Sequence, residues 1–414
     1  MNPIRRVHGR SVVWHLDSKL GSHVDAFVHY LSERGYAPNT IDTYLGCVAH
    51  FAYWMRRRRL AVHRLDDGMV WRFLDEHLPS CDCPRPVCRT RTDLRAALGH
   101  LLVVLRAKGI VSEPALEATP VDEELHRFDD YLGHVRGLAD STRALYLRTV
   151  RRLLEEQFGK RGVVFCTITP EAVRRFMVNE NERYSTPASF GSVVSALRGY
   201  FRFRIACGDS VHQLIGAVPY PANWQLASLP KALSGPEVER LLASLDQAPR
   251  RTGAMVRCAL ELGLRSGEIA KLTLDDIDWG AGTITLRRTK SRREDAMPLP
   301  ETTGRAIVEY LKRERPQSTH RAVFVRHHAP YDQPIGPDCV RKVIRRAYAR
   351  AGLPYTRAHL LRHTLASRLL EGGSSLKEVA DVLRHRSLNT TLIYAKLDSR
   401  SLAGVALPWP GCAA

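Results

Sequence analysis

No run of apolar residues in this 414-residue chain is long enough to cross a bilayer. The densest, Leu101-Leu102-Val103-Val104-Leu105, falls far short of the roughly 20 residues a spanning helix needs, which excludes a membrane span. The segment Met1 to Leu20 holds Arg5, Arg6 and Arg10 but lacks the continuous apolar core of a secretory signal. With no such signal, the nine cysteines are expected as reduced thiols in a cytoplasmic protein. Acidic residues are in short supply: 43 Asp and Glu face 62 Lys and Arg, for a net charge of +19 and a pI near 9.8. An excess spread along the whole chain suits a polyanion, nucleic acid above all. A solvated basic surface without a partner is the plain alternative. A hydrophobic fraction of 44% supports folded domains. The length is too great for one ordinary core and points to two or three domains.

An internal repeat organises the first half. Arg34-Gly35-Tyr36-Ala37-Pro38-Asn39-Thr40, followed by Tyr44, Leu45 and Val48, returns as Arg136-Gly137-Leu138-Ala139-Asp140-Ser141-Thr142, followed by Tyr146, Leu147 and Val150. The offset is a constant 102 residues. Each copy reads as helix, Gly-marked turn, N-cap and second helix. Downstream, Val70 to Leu74 echoes Val173 to Met177, and Ala97-Leu98 through Lys108-Gly109 echoes Ala196-Leu197 through Cys207-Gly208. The expected organisation is two tandem helical modules over 1–115 and 116–212, and a linker over 213–229 marked by Pro219 and Pro221. A further domain over 230–400 and a tail over 401–414 complete the chain.

The last domain opens on Ser234-Gly235-Pro236-Glu237, a capping box. Gly282 to Leu286 and Ala296 to Leu299 flank the basic stretch Arg287 to Arg293 and predict a β-hairpin with Lys290 near its tip. Helices are expected over 301–314, 338–351, 359–371, 376–384 and 388–396. The fold class is therefore mainly α, with a small antiparallel sheet in the third domain.

That domain also concentrates cations around a tyrosine. Arg265 and Lys290 precede His359-Leu360-Leu361-Arg362-His363, then Arg384-His385 and Tyr394. His359 and Arg362 stand three apart on one helix and share a face. Guanidinium groups match phosphate oxygens in bidentate fashion. A tyrosine hydroxyl can form a covalent phosphoester, and phosphoryl transfer needs mostly positioning and charge stabilisation. Those side chains supply both without a metal or other cofactor. Taken singly, each has a structural reading: a helix-end charge, a core histidine, a core tyrosine.

Gly263-Leu264-Arg265-Ser266-Gly267-Glu268-Ile269, Thr289-Lys290, His359-Leu360-Leu361-Arg362-His363, His385 and Tyr394 together resemble the ordered signature of the tyrosine recombinase, or phage integrase, family. The likeness covers about 228–400, and 120–210 is similar to that family's helical core-binding domain, with the first module as its duplicate. The resemblance implies helical DNA-binding modules ahead of a mixed α+β catalytic domain. It also implies roles. Arg265 and Arg362 would clamp the scissile phosphate, and Lys290 would protonate the 5′-hydroxyl leaving group. His359 would act as acid/base near the nucleophile, His385 would bond a phosphate oxygen, and Tyr394 would attack to give a 3′-phosphotyrosine. Glu268 and His363 would support these groups from behind, Glu268 by orienting Arg265 or His359. Arg384 stands where the family commonly has glycine, at a turn that favours positive φ.

The implied activity is site-specific cleavage and rejoining of duplex DNA, for integration, excision or transposition of a mobile element. A type IB topoisomerase and a DNA-binding accessory protein with an idle site are the alternatives. The implied partners are double-stranded DNA, further copies of the chain in a tetrameric synaptic complex, and companion recombinases of the same element. Candidates for DNA contact are Arg56, Arg57, Arg58 and Arg59 at a helix end, Arg143, Arg148, Arg198 and Arg202 on the second module, and Arg292 and Arg293 on the hairpin. Cys81, Cys83 and Cys88, flanked by His77 and His100, have ligand types that suit zinc, but their spacing matches no common finger and Pro84 and Pro86 stiffen the loop. They are read as loop cysteines without a metal. The apolar tail Leu402 to Pro410 is expected to dock on its own domain or on a neighbouring subunit.

Overall fold

The computed structural model describes residues 20–84, 87–112, 118–159, 161–184, 187–220, 231–287, 294–385 and 390–397. Contacts group residues 20–112 with 231–397 in one compact unit and residues 118–220 in a second. The first unit contains two separate hydrophobic cores, one per sequence segment. No helix among the described residues is long and apolar enough to cross a membrane.

Module one comprises α1 (Val24–Glu33), α2 (Pro38–Arg57), α3 (Asp67–Arg72), which runs on as a π-helical turn over Phe73–His77, and α4 (Arg91–Ala107). The Arg34-Gly35 signal works as the sequence implied. Gly35 takes φ +74°, its N–H donates to Ser32 O (2.9 Å), and Tyr36 N–H donates to Leu31 O (3.1 Å). That left-handed residue ends α1, and Pro38, with its φ already helical, starts α2. The apolar stripes meet in a core of Phe27, Leu31, Leu45, Phe51, Phe73, Leu98 and Leu105. Each such side chain contributes on the order of 2 kcal/mol by leaving water.

Module two repeats the plan. It comprises α5 (Pro120–Asp130) with its π-helical turn Tyr131–Val135, α6 (Asp140–Phe158), α7 (Pro170–Asn181), α8 (Pro187–Ala206) and α9 (His212–Gly216). Gly137 takes φ +58° at the position matching Gly35. Val70 and Val173, Phe73 and Phe176, and Leu98 and Leu197 are buried in corresponding cores. The linker expected from 213 begins later than expected. Leu214, Ala217 and Val218 are buried in the module-two core, and Arg198 Nη1 donates to the carbonyls of Ile215 (3.0 Å) and Val218 (2.8 Å). Pro219 and Pro221 suggested an open linker, yet three apolar side chains and one arginine clamp suffice to hold the start of the segment down. Residues 221–230 lie outside the described residues.

The third segment comprises α10 (Gly235–Ala243), α11 (Arg250–Leu260), α12 (Ser266–Lys271), β1 (Ile277–Asp278), β2 (Thr283–Leu286), β3 (Asp295–Pro298), α13 (Glu301–Arg313), α14 (Pro337–Arg350), α15 (His359–Glu371) and α16 (Leu376–Val382). A 3-10 turn over Leu392–Leu397 follows, where a longer helix was expected. The capping box forms, with Ser234 N–H donating to Glu237 Oε2 at 2.8 Å. The sheet is antiparallel in the order β1-β2-β3, with Ile277 opposite Ile284 and Ile284 opposite Met297. Two-residue β1 is too short to leave an alternation in the sequence. Helix α11 is buried along Ala254 to Leu260 and packs on α13, α14 and α15, so the turn that follows it is held from three sides.

Candidate active site

That turn carries the first site residues. Gly263 takes φ +60°, and a Cβ there would lie 2.9 Å from the side chains of both Leu365 and Leu383. Only glycine fits both the backbone and the space. The conformation aims Gly263 O at Arg362, whose Nη1 donates to it at 2.5 Å while Nη2 donates to Leu383 O. Arg362 is 3% exposed, so two buried carbonyls from the turns at 263 and 383 depend on it. Its position on the first turn of α15 follows from the helix period alone; its partners do not.

Arg265 stands as N-cap of α12 with extended backbone, and Glu268 in the first turn folds back on it. The carboxylate accepts from Arg265 N–H (2.9 Å) and from Nη1 (2.7 Å), and a second cation, Arg384 Nη2, reaches it at 3.2 Å. Burial alone would raise the Glu268 pKa, but the Arg265 N–H and the charges of Arg384 and Arg265 outweigh it and hold the carboxyl below its ordinary range. The expected orienting role of Glu268 thus has a contact with Arg265 behind it. Arg265 stays one-quarter exposed and open to a ligand.

Arg384 itself takes φ +55°. Its N–H donates to Asp381 O (3.0 Å) and that of His385 to Ala380 O (2.9 Å), closing α16 with the turn that glycine usually makes. A non-glycine residue there costs about 1 kcal/mol. The buried guanidinium offsets that cost by donating to Val382 O (3.0 Å) and pairing with Glu268. The sequence signalled only the missing glycine.

Around the tyrosine the arrangement departs from expectation. His363, expected only as support, puts Nδ1 2.5 Å from the Tyr394 hydroxyl. His359 lies one turn back, its ring centroid 6.4 Å from that of His363. Both stand on one face of α15 at spacing i, i+4, a signal that could have flagged either. His385 Nδ1 meets Thr391 Oγ1 at 2.7 Å, a partner the motif did not include. Tyr394 is 1% exposed and packs with Ala366, Val379 and Leu383.

Burial, then nearby charge, sets the protonation of these groups. His363 is lowered to about 4 by burial, then by His359 and Arg362; His385 is lowered to about 4 by burial, then by Arg362 and Arg265; His359 is lowered by burial and the same two arginines. All three are therefore neutral at pH 7 and able to accept a proton. Burial raises Tyr394 to about 12, with Arg362 and Arg265 pulling the other way. Arg362, lowered to about 9 by burial and by Arg265 and Arg384, remains a cation. The cluster thus joins a neutral phenol, a neutral base at hydrogen-bond distance and two guanidiniums. A phosphodiester seated there would meet a nucleophile, an acceptor for its proton and compensating charge.

Lys290, Arg292 and Arg293 lie outside the described residues. Of the other cations expected on DNA, Arg56, Arg57, Arg58 and Arg59 are exposed, with Arg57 paired to Asp82 at 3.1 Å. Arg148 and Arg202 are also exposed. Arg143 is instead committed to Asp129 (2.8 Å) and Arg198 to the two carbonyls already named. Cys88 and His100 do not gather with the other loop ligands: Cys88 is a free thiol beside the buried thiol of Cys47, and His100 Nε2 meets the Tyr36 hydroxyl at 2.9 Å.

Residues 231–400 match the phage integrase family, and residues 24–80 match the phage integrase N-terminal SAM-like domain. The SAM-like match falls on module one. Integrase/recombinase y4rA of Sinorhizobium fredii is 34% identical over 397 residues, covering 94% of each chain. Tyrosine recombinase XerA of Pyrococcus furiosus is 27% identical over 286 residues, 69% of this chain and 93% of its own. A solved structure of the XerH site-specific recombinase, bound to palindromic difH substrate in a post-cleavage complex, shares the fold. It is 19% identical, covers 90% of this chain and 97% of its own, and gives a TM-score of 0.51. A likeness to y4rA that runs almost end to end, joined to the match over 231–400, makes the assignment: the chain belongs to the phage integrase family, the tyrosine recombinases that cleave and rejoin DNA.

Proposed function

We propose that this chain is a site-specific recombinase that breaks and reseals duplex DNA through Tyr394. The carrying observation is the Tyr394 hydroxyl at 2.5 Å from His363 Nδ1, within the field of Arg265 and Arg362, which also act on His385. The phenol oxygen attacks the scissile phosphorus as its proton passes to His363. The bond from phosphorus to the 5′-oxygen breaks, leaving a 3′-phosphotyrosine and a 5′-hydroxyl, whose proton comes from Lys290. Arg265 and Arg362 balance the charge that builds on the non-bridging oxygens, and His359 and His385 donate to the same oxygens. Glu268 and Arg384 position Arg265. Because the phosphoester energy is kept in the tyrosine linkage, attack by another 5′-hydroxyl reseals the strand, and no nucleotide or metal is called for.

Double-stranded DNA is the substrate, and the exposed arginines 56–59, Arg148 and Arg202 supply its phosphate contacts. The two helical modules, 1–115 and 116–212, act as duplicated DNA-binding units ahead of the catalytic domain, 230–400. Strand exchange between two sites needs four active sites, so the working assembly is a tetramer on DNA, alone or with companion recombinases. The reaction serves integration, excision or transposition of a mobile element, in the cytoplasm. Relatives that are recombinases along their whole length disfavour both the topoisomerase and the idle-site alternatives.

The test is covalent trapping. Wild type and Tyr394→Phe are incubated with nicked duplex carrying the element's ends, without added divalent metal, and run under denaturing conditions. A DNA adduct with wild type alone is expected. Equal adduct from Tyr394→Phe, or tight salt-sensitive binding with none from wild type, overturns the assignment of Tyr394.

A further inference from the structure

We propose that module one holds a structural zinc ion on His50, His77, Cys81 and Cys83. One ligand atom from each lies within 4.8 Å of the other three. Cys81 Sγ is 3.3 Å from His50 Nε2, and Cys83 Sγ is 3.4 Å from His77 Nε2. Zn–N bonds of about 2.0 Å and Zn–S bonds of about 2.3 Å place tetrahedral ligands roughly 3.3–3.8 Å apart. The side chains are already near that geometry.

The site is built from behind as well. His50 is fully buried in mid-α2, and its Nδ1 is 2.8 Å from the carbonyl of Cys88. Nδ1 therefore carries the proton and Nε2 presents its lone pair toward the sulfurs, as second partners do for metal-bound histidines. His77 ends the π-helical turn, and Cys81 and Cys83 follow in a stretch with no regular structure. One ion would tie that loop to α2 and to the turn. Two thiolates and two neutral imidazoles around a divalent ion sum to zero charge, so the buried centre carries no net charge to desolvate. Two soft sulfurs and two nitrogens in a tetrahedral set select zinc. Four protein ligands close the shell, which makes the ion structural.

The internal repeat gives independent support. The offset of 102 that pairs Tyr44 with Tyr146 pairs His50 with Arg152, and the register that pairs Phe73 with Phe176 pairs His77 with Glu180. In module two, Arg152 Nη2 donates to Glu180 and joins α6 to α7. Module one has two imidazole rings in edge contact at the same corner, which cannot form an ion pair with each other, plus two cysteines aimed between them. A cation restores the cross-link.

The full chain, produced in zinc-supplied cells and purified without chelator, is assayed for bound metal by mass spectrometry and for its spectrum after exchange into Co(II). About one zinc per chain is expected, with tetrahedral d–d bands and thiolate charge transfer in the cobalt form. Chelation should lower the first unfolding transition, and zinc but not magnesium should restore it. The double change Cys81→Ser with Cys83→Ser should cut bound zinc about tenfold or more, while Cys88→Ser and Cys166→Ser leave it intact. Wild type with less than about a tenth of an equivalent, full zinc in the Cys81/Cys83 variant, or loss of zinc with Cys88→Ser would each overturn the proposal. The wild-type measurements keep the test decisive even where a variant fails to fold.

Discussion

Where module two sets Arg152 against the buried carboxylate of Glu180, module one sets His50 against His77, with ring centroids 5.8 Å apart. At the other end of the frame the contrast reverses. In module two Glu124, fully buried, accepts from the Tyr200 hydroxyl at 2.8 Å and from Arg204 at 3.1 Å. The register that pairs Leu98 with Leu197 puts Leu101 and Leu105 of module one in those places, both buried. One helical frame is thus locked by two kinds of chemistry. Module two relies on buried charges that must stay paired, module one on apolar packing and a cluster of two imidazoles and two thiols. Apolar contacts degrade gradually when a side chain shrinks. A buried ion loses several kcal/mol at once when its partner goes.

The strongest way to break the comparison is to strip metal from module one. Chelation should lower its stability by several kcal/mol, as metal-linked folding requires, and leave module two unchanged, as read by residue-resolved hydrogen exchange. The double change His50→Arg with His77→Glu writes module two's pair into module one. It should abolish zinc binding yet recover part of the lost stability, whereas His50→Arg alone should not.

Next in size, Arg152→Met leaves the buried Glu180 with Arg183 (3.2 Å) as its remaining cation and should cost about 2 kcal/mol in denaturant unfolding. Adding Glu180→Leu should return most of that, a coupling that a double-mutant cycle would measure. Gly35 and Gly137 offer a finer contrast. Alanine at Gly137 meets open space, so only its φ of +58° is at stake and about 1 kcal/mol is expected. Alanine at Gly35 should cost more, because its Cβ would run into the Tyr331 ring. Equal melting shifts for the two would deny that contact.

The smallest effect sets module two against the catalytic domain, where His363 and His385 are held neutral by burial. His363 and His385 titrate near 4 in the native state against an ordinary 6.5. Between those values the unfolded chain takes up protons that the native chain refuses, so stability falls as pH drops through that window and levels off below it. Imidazole proton shifts followed by NMR should give both low values, and His385→Gln should flatten part of the acid sensitivity.

Much of the site was legible because its residues sit in short, ordered motifs. Gly263, Arg265 and Glu268 shape one turn, and His359, Arg362 and His363 share one helical turn of α15. The hairpin and most helix ends followed from β-branched runs, capping boxes and glycine. What escaped was of three kinds. Strand β1 is shorter than any periodicity. Segment 213–218 looks like a linker by composition but packs. The contact between α15 and Tyr394 was out of reach, since helix spacing puts His359 and His363 on one face without saying which one Tyr394 meets.

From sequence alone came the inventory: the cations, the tyrosine, the helices that carry them and the repeat of the two modules. These depend on interactions within a few residues, which composition and period record directly. Tertiary structure alone decided that His363 touches Tyr394, that Arg384 turns in αL to pair with Glu268, and that His50 rather than Cys88 or His100 joins Cys81 and Cys83. Each of those contacts joins side chains 31 or more positions apart. Such partners meet only when packed helices bring their faces together, and the short-range pattern of the chain carries no record of which faces those are.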